Sequence, residues 1–91
     1  MYRIEFTKTA LRSFKKMDKT NAKILLQWIK NNLDGINDPR ALGKSLQGNL
    51  STKWRYRKGN YRIITEIKND KLIILIVDIG HRKDIYKRFK N

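Results

Sequence analysis

Tyr2, Ile4 and Phe6 alternate with Arg3 and Glu5 at the start of the chain, the period-two pattern of a half-buried strand. The period then lengthens. Ala10, Leu11, Phe14 and Met17 recur at three and four residues while Lys8, Arg12, Lys15 and Lys16 lie mostly off that stripe, predicting a helix capped by Thr7 or Thr9. Asp18 or Thr20 caps a second helix carrying Ala22, Leu25, Leu26, Ile29 and Leu33, with Gly35 as its expected C-cap. Residues 34–53, "DGINDPRALGKSLQGNLSTK", hold the turn formers, Gly43 and Gly48 among them, and read as a connector in which Asp38-Pro39 opens a short helical turn. Three apolar runs follow, Trp54 to Lys58, Tyr61 to Ile67 and Leu72 to Ile79, separated by the two-residue turns Gly59-Asn60 and Asn69-Asp70, and they predict an antiparallel meander. Gly80 is expected to break the last strand, and "HRKDIYKRFKN" to form a short basic helix or tail. The expected class is α+β, in the order βααβββα, with an antiparallel sheet packed on two N-terminal helices and residues 1–91 forming one domain.

A two-residue turn at Gly59-Asn60 sets Arg57 opposite Arg62 and Arg55 opposite Ile64, and directly paired residues share a face. Arg55, Arg57 and Arg62 then lie together. The other face takes Trp54, Tyr56, Tyr61, Ile63 and Ile67, continued by Leu72, Ile74 and Ile76, and is the expected core. By the same alternation the arginine face continues with Ile73, Leu75, Val77 and Ile79 as an apolar floor. Like charges directly opposite each other cost about 0.2 to 1 kcal/mol per pair, so Arg57 facing Arg62 asks for a reason. One reason is protection of the apolar run "LIILIV" against edge-to-edge aggregation. The other is an anion held between guanidinium forks, which match phosphate oxygens.

Charge sharpens that choice. Twenty-two Lys and Arg against eight Asp and Glu leave +14, which points to a polyanionic partner, nucleic acid first. Hydrophobic residues at 40% exclude the profile of a disordered tail. With no cysteine there is no disulfide framework or thiolate metal site. The N-terminal "MYRIEF" lacks the apolar core of a signal peptide and no apolar run is long enough to span a bilayer, so the expectation is a cytoplasmic chain with no membrane partner.

The single histidine and the scattered aspartates form no metal-ligand spacing, and no glycine-rich phosphate loop occurs, so neither metal nor cofactor is expected. RNA cleavage without a metal needs one group to take the ribose 2′-OH proton, another to protonate the leaving 5′-oxygen, and cations to hold the charge between. Arginine stays protonated, so Arg55, Arg57 and Arg62 suit electrostatic roles. The proton carriers must come from "GHRKDIY", where Tyr86 and His81 are the candidates. Nearby guanidinium groups would lower a phenol from its usual pKa of about 10. A packing role for His81, and a docking role for Tyr86 beside Ile85, stand as the alternatives.

The motifs "LGKSLQGNLSTKWRYRKGNYRIITEI" and "LIILIVDIGHRKDIY" resemble the RelE toxins of type II toxin–antitoxin systems, within the RelE/ParE superfamily. The resemblance rests on Leu46 and Gly48, Trp54-Arg55-x-Arg57, Gly59-x-Tyr61-Arg62 and Gly80-His81-Arg82 before Tyr86, and it runs nearly end to end. It implies a microbial ribonuclease-like RelE fold and an endoribonuclease that cuts mRNA in the ribosomal A site by 2′-OH attack, held inactive by a RelB-like antitoxin. The family's basic pair falls on Arg55 and Arg57, its transition-state arginine on Arg62, its strand-end arginine, assigned as general acid, on Arg82, and its tyrosine base on Tyr86. The chain has Arg-x-Arg where the best-known member has Lys-x-Lys, and Tyr86 follows Arg82 at a shorter spacing, which leaves room for His81 to share the proton work. Alanine at Arg57 or Arg62 is expected to abolish toxicity without destabilising the fold. Lys15, Lys16, Lys23, Lys30 and Lys53 are the expected RNA contacts. A ParE-like inhibitor of DNA gyrase on the same scaffold, and a non-catalytic RNA- or ribosome-binding module, are the rival functions. An acidic, amphipathic antitoxin segment is the expected cover of the arginine groove.

Overall fold

The computed structural model describes residues 1–47 and 52–89, so the turn expected at Gly48 lies outside the described residues. In chain order it has β1 (Arg3–Phe6), α1 (Lys8–Lys16), α2 (Lys19–Asn32), β2 (Lys44–Ser45), β3 (Lys53–Lys58), β4 (Tyr61–Lys68), β5 (Ile73–His81) and α3 (Arg82–Arg88). The α+β expectation holds, with a two-residue strand added inside the connector. The sheet order is β1-β5-β4-β3-β2, with β1 parallel to β5 and every other pairing antiparallel. No helix among the described residues is long and apolar enough to cross a membrane.

Local chemistry starts both long helices. Thr7 caps α1, its hydroxyl accepting from the Ala10 N–H at 3.1 Å and donating to the Val77 carbonyl at 2.7 Å, so one side chain both opens the helix and seats it on β5. Asp18 caps α2 by accepting from the N–H groups of Thr20 and Asn21. Ala10, Leu25, Ile29 and Leu33 then pack on Tyr56, Ile63, Ile74, Ile76 and Ile79 of the sheet. Leu11 and Leu26, which the periodicity put on the same stripes, are 48% and 44% exposed because the contact faces are narrower than the apolar arcs.

The connector is bound to the sheet edge. Trp54 Nε1 donates to the Leu42 carbonyl at 2.7 Å, and the buried Tyr56 hydroxyl donates to the Pro39 carbonyl. Gly43, at φ +80°, passes so close that a Cβ there would sit 2.3 Å from the Arg55 carbonyl oxygen. Gly43→Ala is therefore expected to cost about 2–3 kcal/mol, from backbone strain and a clash that flexible side chains cannot relieve. Gly59→Ala, at φ +58° with nothing within 4 Å of the added carbon, should cost only about 1–2 kcal/mol. Thermal melts of the two variants compare them directly.

Two expectations change in β5. Lys68 pairs with Ile73, so residues 69–72 close the second hairpin in place of a two-residue turn at Asn69-Asp70, and Leu72 sits in that turn at φ +53°. The second change is a bulge. Ile64 faces Asp78 and Thr65 faces Ile76, leaving Val77 as the extra residue. Beyond it the alternation reverses. Ile79 turns into the core beside Ile63, and Gly80, still within the strand, pairs with Arg62. The apolar floor expected under the arginines thus loses Ile79 to the core.

Candidate active site

The first hairpin has the expected register, with Arg57 opposite Arg62, Arg55 opposite Ile64 and Lys58 opposite Tyr61. β2 adds a second like-charge pair on this face, Lys44 opposite Arg55. Arg55 and Arg57 line a recess of about 310 Å³ with Trp28, Leu42, Gly43, Lys44 and Tyr56. Lys44 escaped the sequence reading because a two-residue strand has no periodicity to detect. Among the described residues the ion pairs are Arg3–Glu5, Lys53–Glu66, Lys68–Glu66 and Arg88–Asp78, so Lys44, Arg55, Arg57 and Arg82 have no paired carboxylate.

Arg62 differs from its neighbours. It is 6% exposed, and its Nη1 donates to the carbonyls of Gly59 and Tyr61, both at 3.0 Å. Its Nε donates to the Tyr86 hydroxyl at 3.3 Å, with the guanidinium carbon 5.9 Å from the Tyr86 ring centre. A buried guanidinium needs such acceptors to offset lost hydration. The arginine is held rigidly, and its expected dispensability for the fold does not survive these contacts.

Tyr86 reaches Arg62 because α3 folds back along the end of β5, with Ile85 buried. The short spacing from Arg82 to Tyr86 is one helical turn, which puts both on the same side of α3. The phenol is 46% exposed and thus open to a ligand. The hydrogen bond from Arg62 draws its pKa below the usual phenol value, against a smaller opposing effect of burial, and the charges of Arg62, Arg55 and Arg82 draw it lower still. Arg55, Arg62, Arg82 and Tyr86 therefore share one electrostatic neighbourhood, and Arg57 adjoins it through its pairing with Arg62.

His81 goes elsewhere. It pairs with Tyr61, whose hydroxyl accepts from Asn21 of α2, so both rings lie on the helix side of the sheet, 5.9 Å apart and edge to face. Its Nδ1 accepts the Lys83 N–H at 3.2 Å and so caps α3. Lys53 is also engaged, bound to Glu66 at 2.9 Å in a contact that holds the Glu66 carboxyl below its usual range. Lys15, Lys16, Lys23 and Lys30 are exposed on α1 and α2, across the sheet from the arginines. The sequence reading also missed Asp78, which is 2% exposed and bonded to Ser13 and Arg88, three residues brought together only by the fold.

The sequence model of the ParE toxin of type II toxin–antitoxin systems, parDE, matches residues 4–86. The chain is 29% identical over 87 residues to toxin RelG of Mycobacterium tuberculosis, covering 96% of this chain and 98% of that toxin. It is 27% identical over 86 residues to toxin RelE of the same organism, covering 94% and 87%. Among solved structures, a chain of the RelBE2 toxin–antitoxin complex of Mycobacterium tuberculosis superposes with a TM-score of 0.81 at 26% identity, covering 89% of this chain and 91% of that one. A chain of the RelB–RelE complex of Methanococcus jannaschii does so with a TM-score of 0.62 at 27% identity, covering 93% and 98%. Isolated Escherichia coli RelE, at 17% identity and a TM-score of 0.67 over 97% and 98%, shares the fold.

Proposed function

The chain belongs to the family of ParE toxins of type II toxin–antitoxin systems, within the RelE/ParE superfamily, and from that premise we propose that it is a metal-independent endoribonuclease that cuts mRNA in the ribosomal A site. The observation that carries this reading is the Tyr86 phenol, hydrogen-bonded to Arg62 and made more acidic by Arg62, Arg55 and Arg82. A lowered phenol pKa raises the fraction of phenolate available near neutral pH, which is what a general base requires.

In the proposed reaction the Tyr86 phenolate takes the proton of the ribose 2′-OH. The 2′-oxygen bonds to phosphorus and the bond from phosphorus to the 5′-oxygen breaks, leaving a 2′,3′-cyclic phosphate and a 5′-oxygen that takes a proton from water to become a free 5′-hydroxyl, while Tyr86 returns its proton to solvent. Arg55, Arg57 and Arg62 stabilise the charge that builds on the phosphoryl oxygens. Arg82, one turn from Tyr86, is assigned to the leaving oxygen as hydrogen-bond donor. His81 has no part in this scheme, since its ring lies on the helix side against Tyr61. The need for a 2′-OH restricts the substrate to RNA.

The exposed Lys15, Lys16, Lys23 and Lys30 suit phosphate contacts with ribosomal RNA, whereas Lys53 is drawn away by Glu66. A RelB-like antitoxin is the proposed partner, supported by the likeness to toxin chains from RelB–RelE complexes and by the charge of +14, which favours an acidic cover. Ribosomes as the target put its action in the cytoplasm.

Mapping transcript 5′ ends in cells expressing the chain tests the proposal. Cuts phased with codons are expected, and they should vanish on co-expression of the antitoxin. Gyrase inhibition is the second reading, favoured by the ParE description of the matching family. Gyrase-linked DNA breaks without codon-phased cuts would replace the first reading with it.

A further inference from the structure

The chemistry above leaves Asp78 unused, although it is a carboxylate at 2% exposure beside the active face. Its Oδ1 accepts from the Ser13 hydroxyl of α1 at 2.7 Å and from the Ile79 N–H at 2.8 Å, and its Oδ2 accepts from Arg88 Nε of α3 at 2.8 Å. A buried carboxylate is costly unless its oxygens are filled, and here they are filled by the two helices that flank the end of β5.

The geometry of α3 shows what that grip controls. A seven-residue helix does not hold its shape in water unaided, so its order comes from what it packs on. Ile85 and Arg88, three residues apart, face the sheet together. A Cβ at Gly80 would meet Arg88 Nη2 at 3.0 Å and Ile85 side-chain carbons at 3.6 and 3.7 Å, so Arg88 crosses directly over the Gly80 backbone to reach Asp78. Tyr86 lies between these two gripping residues in sequence. The rotation of α3 about its own axis, and with it the reach of Tyr86 toward Arg62, depends on Ile85 and on the Arg88–Asp78 bond.

We infer that Asp78, steadied by Ser13, is the anchor through which Arg88 locks α3, and that the three are positioning residues for Tyr86. Their catalytic consequence rests on the nuclease reading, but the lock itself does not. The charged groups that face Tyr86 are Arg62 of β4, Arg55 of β3 and Arg82 of α3, and none of them belongs to the lock.

The test is a titration by NMR with tyrosine labelled at the ring carbon that bears oxygen, the Tyr86 signal being assigned with Tyr86→Phe. In Arg88→Met, which keeps the stem and removes the donors, the Tyr86 pKa should rise toward about 10 while Tyr2, Tyr56 and Tyr61 stay where they were. Ser13→Ala should give a smaller rise, and Arg88→Lys should restore part of the shift. In mRNA cleavage, Arg88→Met should lower kcat tenfold or more with KM within twofold, because the substrate-facing arginines are untouched. A Tyr86 titration unchanged in folded Arg88→Met and in Ser13→Ala overturns the inference whatever the activity. If the parent chain cuts no mRNA but Arg88→Met still moves the titration, the lock stands and the nuclease reading falls.

Discussion

Tyr86→Phe is expected to reduce mRNA cleavage by about 10²- to 10⁴-fold, the usual contribution of a positioned general base. The loss should appear in kcat, because the arginines that would bind phosphate keep their places. Stability should fall by only about 1 kcal/mol, since the ring is 46% exposed and the bond lost to Arg62, at 3.3 Å, leaves that guanidinium its two carbonyl acceptors. In the parent chain the rate should climb with pH and level off once the phenol has ionised. Because hydrogen bonding and guanidinium charge lower that pKa, the plateau should begin below pH about 10. A rate profile of Tyr86→Phe that keeps the same rising limb would assign the proton to another group.

Arg62→Ala is expected to strike both activity and fold. In the proposed reaction it would remove a cation from the phosphate, and it removes the hydrogen bond that acidifies Tyr86, so the residual rate should be lower than that of Tyr86→Phe and its rising limb should move to higher pH. On the folding side it strips donors from the Gly59 and Tyr61 carbonyls and empties a buried site. An unmet acceptor costs about 1–3 kcal/mol where water cannot replace its donor; Tyr61 is half-buried whereas Gly59 is exposed, and the relief from the pairing with Arg57 is about 0.2–1 kcal/mol. A net loss of about 1–2 kcal/mol should lower the Tm of a domain this size by roughly 4–16 °C. Arg57→Ala makes the contrast, because Arg57 is exposed and makes none of these bonds. Its Tm should hold or rise slightly while cleavage falls, and equal Tm losses in the two variants would contradict this division of roles.

The helices and the first hairpin were legible in the chain because each is specified locally. Apolar spacing marked α1 and α2, their starts were narrowed to Thr7 or Thr9 and Asp18 or Thr20, of which Thr7 and Asp18 are the caps, and a two-residue turn at Gly59-Asn60 sets the register in which Arg57 meets Arg62. What escaped depends on distant partners. Lys44 is a strand residue only because Arg55 lies opposite, and Asp78 is an anchor only because Ser13 and Arg88 converge on it. Arg62 and Arg57 look equivalent along the strand. Only the return of α3, bringing Tyr86 over Arg62, makes one a buried hub and leaves the other free. The bulge was invisible for a different reason, since Val77 is as apolar as its neighbours and nothing in "LIILIVDIGH" says where the alternation slips.

That slip behaves like a phase setting. With Val77 in place, His81 ends on the helix side and Gly80 on the arginine side, where its missing side chain leaves Arg88 room to cross. The same ten residues run as a regular strand, with Val77 opposite Ile64 and no bulge, would turn the histidine to the arginine side and carry the glycine out from beneath Arg88. The arginine side would then carry His81 where it now has the bare backbone of Gly80. One bulge in a strand thus decides which side chains the arginine face receives from β5, with no change in the arginines themselves.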